Sequence, residues 1–247
     1  MRPKRNPEAG NRAIGRQLIK LRRSGRVPYS RITDGTRLIQ KPDSWTAVDE
    51  MLNDAASSYR RALWHSQDVE VIVMSEKDAI SGVIYPITAA WDVELGITRG
   101  YSSETFTHSI AETVIYNATD AKTTWIYQLG DHDPSGVDAW RDFQAKVLRF
   151  VEPHYADDLV RFERLAVTPA QIEELSLPTR PTKRSDTRSS GFVGESVEVD
   201  AIPAQILREI VETAISQHVD PTRLAITQQI EDEEREGLLA MARGWST

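Results

Sequence analysis

Three carboxylates stand out for chemistry because each closes a short apolar run. Glu76 follows "VEVIVMS" (69–75), and Asp131 and Asp133 follow "TTWIYQL" (123–129) within "GDHDPSG". Apolar, β-branched runs of this length read as strands buried on both faces. In an open parallel sheet the ligand crevice lies outside the carboxyl ends of the strands. A strand ending in Glu and another ending in Asp-x-Asp therefore put three acids along one edge. Unpartnered acids gathered there repel one another and are costly to bury. A hard divalent cation, Mg²⁺ or Mn²⁺, removes that penalty with a few carboxylates plus water. Gly130 permits close approach of the backbone beside them.

Each acid also has a plainer role. Asp131 and Asp133 suit a turn that caps the helix opening at "PSG", with Pro134 near its first position. Glu76 suits the amino terminus of its own following helix. Any one of these is credible alone; all three falling at matching strand ends favours the metal site.

Cations surround the acids in sequence. Lys77 follows Glu76, and Arg99 in "ITRGYSS" closes the second strand. Both are candidates to stabilise charge on a phosphate, against the alternative of surface cations near acids. His132 lies between the aspartates, where neighbouring side chains diverge, so it reads as a supporting residue rather than a base. His108, inside a helical pattern, reads as structural.

The elements that must position these groups follow from periodicity. "VEVIVMSE", "VELGITRG", "TTWIYQLGD" and "VRFERLAV" read as strands. Between them, "KDAISGVIYPITAAW", "SSETFTHSIAETVIYNA" and "PSGVDAWRDFQAKVLRFV" read as helices. Pro86 suggests a kink or early end in the first, and Ser102 or Ser103 an N-cap for the second. Repeated β-α-β with short links implies an α/β fold, a Rossmann-like parallel sheet with right-handed crossovers over residues 67–168.

Before it, residues 1–66 carry a helix in "AIGRQLIKLRR" stopped near Gly25, a short hairpin in "YSRITDGTRLIQKP", and a helix from about Ser44 to Trp64. Helix followed by basic hairpin suggests the latter half of a winged helix. After it, residues 169–247 form a C-terminal extension with helices "TPAQIEEL" and "IPAQILREIVETAISQHV", a last acidic helix, and a basic loop at 178–194.

Charge is segregated along the chain. The 247 residues carry a net charge of −7, yet from Met1 to Lys41 the only acids are Glu8 and Asp34. Arg22, Arg23, Arg26, Arg31 and Arg37 lie in that stretch, and Arg180, Lys183, Arg184 and Arg188 in the loop. Such segregation is expected where one part meets phosphates while the remainder keeps the protein soluble, although a solvated basic face has the same signature. The absence of cysteine excludes disulfides, thiolate metal sites and Cys nucleophiles. No apolar run is long enough to span a bilayer and no signal-peptide core is present, so a cytoplasmic protein without membrane partners is expected.

The strand ending in Glu76 ("MSEKDAI") and the strand ending in Asp131 and Asp133 ("GDHDPSG") resemble the Toprim domain. They are similar in particular to that of the A subunit of type IIB topoisomerases, topoisomerase VI and its meiotic relative. The resemblance covers about Val69 to Thr168. It implies that Glu76, Asp131 and Asp133 hold Mg²⁺ against a nucleic-acid phosphate. That family carries a nucleophilic tyrosine in a preceding winged-helix domain; here only its latter part is expected, and Tyr29 and Tyr59 stand in no Tyr-Tyr motif. The expected activity is therefore Mg²⁺-dependent phosphodiester cleavage of the nuclease type. The alternatives are a DNA-binding or accessory subunit of a topoisomerase-like or mobile-element complex, with a homodimer or a separate partner subunit.

Overall fold

Strands β1 (Val69–Ser75), β2 (Glu94–Ile97), β3 (Thr123–Leu129) and β4 (Val160–Ala166) pair in parallel, in the order β2-β1-β3-β4. Each expected strand contains one of them. β1 is buried on both faces because its odd and even residues pack into two different cores. Val71 and Val73 join one cluster, and Ile72 and Met74 the other.

Helix α3 (Asp78–Ala90) links β1 to β2, α4 (Glu104–Thr119) links β2 to β3, and α5 (Pro134–Val151) links β3 to β4. Ile80 and Ile84 of α3 pack with Val71 and Tyr127, whereas Val114 of α4 and Phe143 of α5 pack with Ile72 and Ile126. The chain leaves β1 towards one side of the sheet and β3 towards the other. The gap between β1 and β3 is consequently the point where strand order reverses, and there a crevice opens at the carboxyl ends.

Local chemistry explains the helix ends. Ser103 is the N-cap of α4, its Oγ accepting from the Phe106 amide at 3.2 Å. Ser102 instead is buried against Thr107. Pro86 does not end α3, which runs on to Ala90. Buried Ile84 and Thr88 flank the proline along the helix, so packing against the sheet outweighs the lost ladder bond.

Helices α6 (Pro169–Glu174), α7 (Ala204–Ser216) and α8 (Pro221–Trp245) follow β4. α7 supplies Leu207, Val211, Ala214 and Ile215 to the same core as Val71 and Tyr127, so it covers the sheet beside α3. α2 (Val48–Ser58) lies against α8. The helix expected from Ser44 to Trp64 thus stops at Ser58. Arg235 of α8 takes its released carbonyls, donating to Ala56 at 3.1 Å and Tyr59 at 2.9 Å. Trp64 then turns inward, 2% exposed, and donates to the Trp91 carbonyl at 2.8 Å.

The computed structural model describes residues 7–29, 41–181, 192 and 194–245. They fall into two units, Met1–Ala47 and Val48–Thr247, and the expected boundaries at 66 and 168 lie inside the second. In the first, α1 (Pro7–Arg23) ends where Gly25 adopts φ 75° and the Arg26 amide reaches the Leu21 carbonyl at 3.0 Å, closing the last turn. Most of the expected hairpin, with Arg31 and Arg37, lies outside the described residues, as do Lys183, Arg184 and Arg188. No described helix is long and apolar enough to cross a membrane.

Candidate functional site

Parallel register sets the site. Ser75 pairs with Leu129, so Glu76 and Gly130 leave the sheet side by side. The Glu76 amide donates to the Leu129 carbonyl at 2.9 Å, and its Oε2 accepts from the Asp131 amide at 2.9 Å. Asp133 is the N-cap of α5: its Oδ1 accepts from the Gly136 amide at 2.7 Å and from Ser135 at 2.8 Å. Asp131 Oδ1 receives the Lys77 ammonium at 3.0 Å and the Val199 amide at 2.8 Å.

Two glycines make room for this crowding. A Cβ on Gly130 would stand 2.7 Å from Glu76 Oε2, and one on Gly136 would stand 2.5 Å from the Asp131 carbonyl oxygen and 3.2 Å from Glu76 Oε2. Any larger residue would enter the space around the glutamate.

The three acids form an electrostatic group. Burial pushes the Glu76 carboxyl up from its ordinary value; Asp131 and Asp133 add to the rise, while the Asp131 amide and Arg164 oppose it. Arg164 of β4 was not singled out from the sequence. Its guanidinium donates to the carbonyls of Gly130 and Asp131 and feels all three acids, though burial draws its pKa down. The available signal was an arginine two residues before the end of a strand, next to its buried last residues Leu165 and Ala166.

Lys77 is more constrained than its sequence position suggests. Burial opposes its charge, but hydrogen bonds to Asp200 and Asp131 outweigh this and raise its pKa. Its ammonium lies 3.0 Å from Asp200 and 3.5 Å from Glu198. These two acids lie on a strap, residues 194–201, whose link to the site the sequence did not reveal. The strap is pinned to the loop between the aspartates. The His132 amide donates to the Val197 carbonyl at 2.8 Å, and the Val197 amide returns the bond at 3.0 Å.

Arg180 reaches the same edge through the strap, pairing by backbone with Ser196 and by side chain with Glu198. Arg99 is also there, its amide donating to the Glu76 carbonyl at 3.1 Å, but its guanidinium grips Asp78 at 2.9 and 3.0 Å. The His132 ring packs on Phe192, and burial, then Arg164, hold its pKa down against Asp133.

Arg22 and Arg23 close α1 and Arg26 follows it, with the Arg22 guanidinium 4.4 Å above the Tyr29 ring. Tyr59 donates to Glu234 at 2.6 Å, and His108 stands edge-on to Phe150.

The donor set fits a hydrated Mg²⁺ in part. Glu76, Asp131 and Asp133 each commit one oxygen to hydrogen bonds, and among the described residues the second oxygen of each accepts none. Asp131 is drawn towards Lys77, and among the described residues no three His, Asp or Glu side chains already form a metal-holding group. Compared with protein-family models, curated proteins and solved structures, the chain matches none.

Proposed function

We propose that this chain is a Mg²⁺-dependent, DNA-acting protein with a Toprim-like core, cleaving phosphodiester bonds as a nuclease. The observation that carries this reading is the Glu76–Asp131 hydrogen bond at 2.9 Å, which gathers the acids of two strands at the switch point of the sheet. In an α/β sheet that position is where ligands bind. Glu76 and Asp133 would hold the cation through their unbonded oxygens, with Asp131 completing the set on leaving Lys77. When bound, such an ion activates a water and neutralises phosphate charge. Lys77, released from Asp131, and Arg180, released from Glu198, supply cations for the scissile phosphate. The basic residues of Met1–Ala47 supply affinity for the backbone of DNA that is independent of sequence.

Nicking of supercoiled plasmid by the purified chain tests this. Mg²⁺-dependent scission is expected in the wild type and none in Glu76→Gln or Asp131→Asn. Undiminished cleavage by both variants would remove the site from consideration.

The Lys77–Asp131 ion pair favours a second reading, in which the edge carries its own counter-cation and the chain is a non-catalytic DNA-binding or accessory subunit. That reading expects salt-sensitive DNA binding without scission at any Mg²⁺ concentration.

A further inference from the structure

Directly behind Glu76 lies a cavity with room for about one water molecule, lined by Glu76, Thr98, Gln128, Gly136, Trp140 and Phe143. Gln128 shares its face of β3 with Ile126 and Thr124, and its apolar neighbours on the sheet are Ile126, Ile72 and Met74; buried Thr124 is satisfied by Asn117. Gln128 is 4% exposed, and its Oε1 has no hydrogen-bond partner. An apolar residue would fill this slot without leaving a buried acceptor unsatisfied, and such an orphan in a folded protein marks a missing water or ion. Of the other lining side chains Thr98 and Trp140 carry donors, and neither bonds Gln128 Oε1. The Glu76 carboxylate borders the same space.

We infer that Gln128 and Glu76 share one buried water in this cavity, and that Gln128 is thereby a positioning residue that fixes the Glu76 carboxylate for a divalent cation. The water donates one proton to Gln128 Oε1 and the other to Glu76, so the carboxylate is held from behind as well as by the Asp131 amide. Outer partners of this kind orient ligands without touching the metal. The inference rests on the metal reading of the acids proposed above.

Mn²⁺ titration of the purified full chain, followed by electron paramagnetic resonance, tests it with Gln128→Leu and Gln128→Glu. Gln128→Leu keeps the volume and removes the acceptor; its Mn²⁺ affinity should fall by about tenfold or more while its Tm stays at or above that of the wild type. Gln128→Glu keeps an acceptor oxygen and should bind at least as tightly as the wild type. Unchanged affinity in Gln128→Leu, beside a wild type that binds, would overturn this inference alone. A wild type that takes up no Mn²⁺ would overturn the metal reading and the inference with it. Should the leucine variant fail to fold, weaker binding by Gln128→Glu would overturn the inference.

Discussion

The amide of Asp131 donates to Glu76 Oε2 across 2.9 Å, tying together two strand ends that are 55 residues apart in the chain. Because the donor is backbone, the bond depends on sheet register and not on the identity of residue 131. Glu76 is consequently oriented before any cation arrives, which is the preorganisation a binding site needs.

Asp133 has two roles that substitution can separate. Its Oδ1 caps α5 while the second oxygen is open to a cation. Asp133→Ser keeps the cap and loses the carboxylate; its Tm should stay near that of the wild type and its Mn²⁺ affinity should fall. Asp133→Ala loses both, with a stability cost of about 1 kcal/mol by urea unfolding. Wild-type Mn²⁺ affinity in the serine variant would leave Asp133 as a cap alone.

The two glycines should respond differently to alanine. At Gly130 a Cβ meets the far ends of Gln128 and Glu76, which can swing aside, so Gly130→Ala should displace the glutamate and weaken Mn²⁺ binding at modest cost in stability. At Gly136 it meets the Asp131 carbonyl, which is backbone, so Gly136→Ala should cost about 1–3 kcal/mol in unfolding free energy. Equal stabilities of the two variants would contradict this account.

The strands and sheet helices were legible because β1 and β3 are buried on both faces and their runs are predominantly apolar. The acids were legible because Glu76 directly follows the first run, and Asp131 and Asp133 come within four residues of the end of the second. Arg164, Glu198 and Asp200 were not, since they come to the site through the pairing of β4 and the strap, and neither contact leaves a local pattern. The end of α2 at Ser58 was hidden for a similar reason: what stops it is Arg235, 177 positions further on from the stop. α7 read as part of an extension because an amphipathic helix does not announce which sheet face it will cover.

Lys77 is the counter-cation of the edge, bonded to Asp131 and Asp200 at 3.0 Å each. Lys77→Met removes that charge and leaves the acids facing one another. Loss of about 1–3 kcal/mol of stability is expected, most of it restored by millimolar Mg²⁺ as the ion takes over the role. Thermal melts with and without Mg²⁺ check this, and a deficit unaffected by Mg²⁺ would argue against a cation site there.

Two glutamates give the protein opposite responses to rising pH. Glu70, near the start of β1 and remote from the site, is pushed up from 4.5 to about 7, chiefly by burial, with Glu94 and Asp92 adding and Lys122 opposing. Between those values the folded chain keeps a proton that the unfolded chain has released. Its contribution to stability therefore declines as pH rises through that window. Glu70→Gln should raise Tm at about pH 8 but not at about pH 4, flattening the profile. Glu76 is raised in the same direction, by burial first and then by Asp131 and Asp133, but a cation needs its ionised form. Mn²⁺ affinity should thus increase with pH in the wild type and in Glu70→Gln alike, and be lost in Glu76→Gln. A Glu70→Gln variant with an altered Mn²⁺ profile would show that the two ends of β1 are coupled, contrary to the separation argued here.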